Sequence, residues 1–184
     1  MSTGTIETLK SESNCFGIQN KEELEQLIFY GMSSGADLIE IFLESTNNLG
    51  ILAEQDTITN VSPSFTRGAG IRVFKDKRDT FVSTNDITSE GLKRSIEEAL
   101  GMLGLEIERN NLNKFEGLGT YNDYAYKKNK WLIESPKIKE IASKILEGTK
   151  YLSQNGKHLQ VRRGSYARNW QEILVVASDG TFAR

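Results

Sequence analysis

Between residues 36 and 86 several short runs set an apolar side chain at every second position, and that period commits them to sheet. In "ADLIEIFLEST", Ile39, Ile41 and Leu43 alternate with Glu40, Phe42 and Glu44, as in a strand with one buried face. "LGILAEQDTITNVS" reads as a second strand, reached through a turn at Asn47-Asn48. "AGIRVFKD" and "DTFVSTND" form a second hairpin around Asp76-Lys77-Arg78. Two hairpins in succession call for an antiparallel sheet, one face of which needs cover.

Helical stripes on either side supply that cover. Asn20 precedes "KEELEQLIFYGMSSG" with Glu23 three residues on, close to a capping box. Leu24, Leu27, Ile28 and Met32 then share a face, and Gly35 supplies the stop. In "TSEGLKRSIEEALGML", Thr88 is the expected cap of a stripe formed by Leu92, Ile96, Ala99, Leu100 and Leu103. The order helix, four strands, helix predicts an α+β fold: a two-layer sandwich, mostly antiparallel sheet with helices packed on one face.

Three regions are expected. Residues 1–19, rich in Ser, Thr and Glu, read as a mobile N-terminal arm, and residues 20–104 form the helix–hairpin–hairpin–helix unit. Residues 105–184 hold an irregular segment, a third helix and the start of a further β unit. The helix begins at Ser135-Pro136 with Ile138, Ile141, Ala142, Ile145 and Leu146 as its stripe. After Asn155-Gly156, "HLQVRRGSYARN" and "QEILVVAS" read as a pair of strands. Asp179-Gly180 is a turn signal with only "TFAR" behind it, so the β unit reads as truncated at its C-terminus. The aromatics of residues 121–131 suit either a cleft lining or a groove filling.

Composition narrows the function classes. Hydrophobic residues at 38% and charged residues at 26% support a folded core. A net charge of −2 leaves no electrostatic footprint for nucleic acid. The single Cys15 excludes an internal disulfide framework and fits a cytoplasmic, reducing compartment. No apolar run approaches the roughly 18–20 residues of a membrane span, and the first residues lack the pattern of a secretory signal.

No residue set carries visible chemistry. Gly68-Ala69-Gly70 opens like a phosphate loop, but Val73 stands at the third glycine position and a strand follows where a helix is needed. Those glycines are better read as a bend or a close approach. His158, the only histidine, sits at a predicted strand start, and a zinc site would have to be built mostly from carboxylates. Ser83-Thr84-Asn85-Asp86 reads as a strand end and helix lead-in, and Glu40, Glu44 and Glu54 as one solvated sheet face. Arg162, Arg163 and Arg168 form the one local basic cluster, weak as a nucleic-acid signal in an acidic chain. No catalytic, cofactor-binding or metal-ligating residue is assigned.

Four segments in order resemble the N-terminal domain of the TldD/PmbA family. They are "GADLIEIFLE", the "GAGIRVF" strand with its Gly70-Ile71-Arg72-Val73 core, "FVSTND" followed by "SEGLKRSIEEAL", and "ILVVASDG". The likeness runs from about residue 20 to the end and favours the TldD branch through "FTRGAGIRVF" and "STND". Asp76-Lys77-Arg78-Asp79-Thr80 departs from it, since many relatives carry glycines in that hairpin.

The resemblance implies a cytoplasmic peptidase that assembles as a homo- or hetero-dimer of TldD- and PmbA-like subunits and takes peptide substrates. It also implies zinc on a downstream His-Glu-x-x-x-His site with the glutamate as general base, and an older label as a modulator of DNA gyrase. With one histidine, this chain receives no catalytic residue, and zinc is expected only in a C-terminal part. The chain is therefore expected to be the non-catalytic N-terminal portion, inactive alone. It would partner its own C-terminal domain and form part of the substrate cleft or subunit interface. The alternative is a stand-alone binding or regulatory domain without peptidase activity.

Overall fold

A computed structural model describes residues 21–107, 115–120, 137–156 and 158–184. The expected arm, Cys15, the Asn20 cap, residues 121–131 and the Ser135-Pro136 helix start lie outside them. The elements are α1 (Lys21–Met32), β1 (Leu38–Glu54), β2 (Thr57–Lys75), β3 (Arg78–Thr84), α2 (Ser89–Met102), α3 (Ile138–Asn155), β4 (Arg163–Ala177) and β5 (Phe182–Ala183). The strands pair in the order β3-β2-β1-β4-β5, an antiparallel sheet with three helices, as the alternation predicts. The chain divides into two compact units, each with its own share of the long strands.

Unit one comprises Met1–Ser45, Arg67–Ala125 and Glu172–Arg184. Ile39, Ile41 and Leu43 of β1 are fully buried, with Ile71 and Val73 of β2 and Val176 of β4. Leu24, Leu27, Ile28 and Met32 of α1 and Leu92, Ile96, Ala99 and Leu100 of α2 close over them. The helices come this near because residue 31 has no side chain. A Cβ there would be driven into Ile39 and stand 2.9 Å from Ile96 Cγ2.

Side-chain hydrogen bonds shape the ends of these elements. The β2–β3 turn forms at Asp76-Lys77 without glycine, with φ of 48° and 65°. Asp37 holds it, accepting from the Asp76 N–H at 2.9 Å and facing Lys75 Nζ at 3.3 Å. Thr88 caps α2 as expected, accepting from the Gly91 N–H at 3.1 Å. Asp86 accepts from Thr88 N and Oγ1 at 3.2 and 2.6 Å and meets Arg94 Nη2 at 2.6 Å. The Thr88 hydrogen bonds, with help from Arg94, hold its carboxyl below the ordinary carboxylate value. Asp179 is likewise lowered by Thr181, whose N–H it accepts at 2.9 Å. The Asp179-Gly180 turn forms, and β5 returns to pair Phe182 with Val176 and Ala183 with Val175.

Unit two comprises Thr46–Thr66 and Tyr126–Gln171. Leu49, Ile51 and Ala53 are its buried strand residues. The α3 helix packs over Gly164, where a Cβ would stand 3.3 Å from Thr149 Cγ2. Most of its expected stripe is only half-buried, Ile138 is exposed, and Thr149 is the buried residue.

Two expected turns in this unit are strand instead. Asn47-Asn48 lies inside β1, because the Asn48 side chain accepts from Asn169 Nδ2 at 2.6 Å and donates to Ser64 Oγ at 3.2 Å. Those cross-strand bonds satisfy the amide that would otherwise favour a turn. Asn169 does the same for β4, so the expected pair of strands after residue 156 is one continuous strand. The chain reverses at Gln55-Asp56, with Gln55 at φ 56°.

Gly31→Val is expected to cost about 1–3 kcal/mol through overpacking. Gly101→Ala meets nothing within 4 Å and should add about 0.5–1 kcal/mol by restricting the unfolded chain. Urea midpoints at unchanged slope check both. The lowered carboxyls of Asp86 and Asp179 contribute stability that is present above 3.8, the ordinary value, and lost as pH falls through their folded values. Asp86→Asn and Asp179→Asn should therefore show a smaller deficit at about pH 2 than at about pH 7 in paired melts.

Candidate functional site

In unit two, β2 has one side open. Its pairing with β3 ends at Ala69↔Thr84, so from Thr57 to Thr66 no described strand covers the edge opposite β1. Every residue from Thr59 to Thr66 is exposed. A strand uses the two edges of its backbone alternately. Pro63, which has no N–H, is tolerated in a paired strand where its nitrogen faces the open side. On that parity Val61 and Phe65 turn their N–H groups outward as well. Their side chains share one face and are 41% and 56% exposed.

In unit one a groove of about 1000 Å³ runs along α1. The helix buries one face in the core and turns Glu22, Gln26, Phe29 and Tyr30 to the groove. Ile107 and Phe115 line it as well. Tyr30 is fixed at its base: its hydroxyl donates to Glu97, and Lys93 Nζ sits 4.6 Å from the ring centroid. Burial, then the hydrogen bond and charge of Glu97, push the Tyr30 phenol up to about 12. Glu25 accepts from the Leu118 N–H at 2.9 Å, and Lys21 donates to the Leu118 carbonyl at 2.7 Å, pinning the segment to α1.

The residues singled out in the sequence are scattered. Gly70 lies within β2, where a Cβ would stand 2.7 Å from the Phe81 ring, so close packing is its role. The Ser83–Asp86 cluster ends β3 and leads into α2, as expected. Glu40, Glu44 and Glu54 alternate along β1 but are half-buried, and Glu54 takes Arg163 Nε at 2.7 Å. Arg162 faces Asp56 at 3.7 Å, and Arg168 stands 5.8 Å from the Trp170 ring. The expected basic cluster is thus divided among acids and an aromatic. His158 lies in a turn ahead of β4, not in a strand. Among the described residues no three metal-binding side chains converge.

Sequence reasoning missed the open β2 edge and the α1 groove. Val61 and Phe65 at alternate positions, and Phe29 on the polar face of an amphipathic helix, were the available signals.

Residues 39–103 match the family described as PmbA/TldA metallopeptidase domain 1. Comparison with curated protein sequences gives no match. The fold is that of TldE from Thermococcus kodakarensis, at TM-score 0.64 and 24% identity over 87% of this chain and 36% of that one. A protein of Thermotoga maritima MSB8 described as a candidate modulator of a DNA gyrase matches at TM-score 0.64 and 13% identity, over 88% of this chain and 36% of that one. A similarly described protein of Bacteroides thetaiotaomicron VPI-5482 matches at 0.55 and 17%, over 90% and 38%. The chain spans little more than a third of the length of these structures. Over residues 39–103, from β1 through α2, the chain is similar to the first domain of the PmbA/TldD family.

Proposed function

We propose that the chain is the non-catalytic N-terminal part of a TldD-like metallopeptidase acting in peptide processing, and that the open β2 edge serves its substrate cleft or subunit interface. The observation that supports this is the run from Thr57 to Thr66, which no described strand pairs on the side opposite β1 and whose outward backbone groups suit an extended polypeptide. Sequence-tolerant backbone pairing is what a processing enzyme needs to hold an unfolded peptide. The hydrolytic site belongs to the remaining length that the matched structures possess, where zinc would bind, and no step of the reaction passes through the residues described.

The competing reading is a stand-alone binding or regulatory domain, favoured by the gyrase-modulator descriptions of two structural neighbours. Direct contact with DNA is disfavoured, because Arg162 and Arg163 already face Asp56 and Glu54. A dimeric, cytoplasmic protein remains part of the first reading.

Replacing Phe65 with the photocrosslinker p-benzoylphenylalanine tests the edge in the longest natural form of the protein. Crosslinks to an added unfolded peptide, or to a second subunit, are expected at this position. A protein that cleaves peptide yet yields neither crosslink overturns the role of the edge. A natural form that ends with this chain and cleaves nothing favours the binding domain.

A further inference from the structure

We infer that Asn155-Gly156, at the end of α3, is a deamidation site whose rate is set by opening of the helix's last turn. It is the one Asn-Gly pair in the sequence. Glycine after an asparagine leaves the intervening amide nitrogen unshielded by a side chain and the backbone free to bend. That nitrogen can attack the asparagine's own Cγ. A C–N bond forms, closing a five-membered succinimide, the Cγ–Nδ2 bond breaks and ammonia leaves. Water then opens the ring at either carbonyl, giving aspartate or isoaspartate. Water is the only other reactant, and nothing is oxidised or reduced.

The fold both requires this glycine and restrains the reaction. A Cβ at residue 156 would stand 2.9 Å from the Leu152 carbonyl oxygen and nearer still to Leu159, so a larger residue fits only with a shift. Asn155 is exposed to water. Both nitrogens of the reaction are engaged: the Gly156 N–H donates to the Leu152 carbonyl at 2.8 Å, and Asn155 Nδ2 donates to the Tyr151 carbonyl at 2.9 Å. Attack therefore waits until the last turn opens and Asn155 leaves the helical conformation, an event that costs less at a helix end than in a core. The product does not rebuild the turn. A carboxylate oxygen replaces the Nδ2 donor, so an acceptor faces the Tyr151 carbonyl, and a negative charge arrives at the negative end of the helix dipole. The change is one-way and loosens the end of α3. It is independent of the peptidase reading and of the β2 edge.

The test follows the tryptic peptide of residues 151–157 by mass spectrometry. The whole chain is held in mildly alkaline buffer, folded or unfolded in guanidinium chloride, beside the same peptide made free. A gain of one mass unit at Asn155 is expected in all three samples. The unfolded chain should match the free peptide, and the folded chain should react about tenfold more slowly, as the two hydrogen bonds of the turn imply. Gln154→Gly, which weakens the exposed last turn, should speed the folded chain about two- to threefold relative to a free peptide with the same change. Asn155→Asp should speed hydrogen exchange of the Gly156 amide. No gain at Asn155 in the folded chain once the unfolded one has reacted fully, a folded rate equal to the peptide's, or a rate unmoved by Gln154→Gly overturns the site. Unchanged Gly156 exchange in Asn155→Asp overturns the loosening.

Discussion

The absence of a side chain at position 31 sets the spacing on which the rest of unit one depends. With Gly31 on α1, that helix can rest on Ile39 of the central strand and against Ile96 of α2 at once. Within the triangle of α1, α2 and β1, Ile28, Ile39, Ile41, Leu92 and Ile96 are all fully buried. Close packing of this kind forfeits many small dispersion contacts if one wall moves out. The outward features follow from it, because the α1 face that carries Phe29 and Tyr30 is oriented by the face that is buried.

The parts of the fold legible in the sequence are those set by local period and local hydrogen bonds. Ile39, Ile41 and Leu43 announce a one-sided strand, and Thr88 announces the start of α2. The turns at Asn47-Asn48 and near Asn169 were misread for a physical reason. An asparagine favours a turn when its amide has only its own backbone to bond, and here the two amides bond each other across 121 residues of chain. Gln55 takes the left-handed turn conformation with no glycine to mark it. The groove was illegible because its walls, Phe29 and Phe115, are far apart in sequence and meet only after α1 and the later segment have packed.

Several cations among the described residues are paired with acids. Arg163 meets Glu54, Arg72 meets Asp79, Arg94 meets Asp86, and Lys75 meets Asp37. Such exposed pairs add about 0–1 kcal/mol each to stability, and each partly neutralises the cation it engages. Among the described residues, the β2 run from Thr57 to Thr66 and the α1 face with Phe29 and Tyr30 are the notable exposed surfaces.

Unit one is drawn from three separate stretches of chain, the last beginning at Glu172. A growing polypeptide can lay down α1, β1, β2, β3 and α2 long before β4 is made. Yet β4 is the neighbour of β1 on the side away from β2. Until it arrives, the most buried strand of the domain presents a naked flank, with Ile39 offering its carbonyl to no one where Ser178 will later donate. Closing that flank requires contact across well over a hundred residues, a topology that folds slowly. The interval between synthesis of α2 and synthesis of β4 is therefore when the nascent chain is most exposed to pairing with the wrong strand.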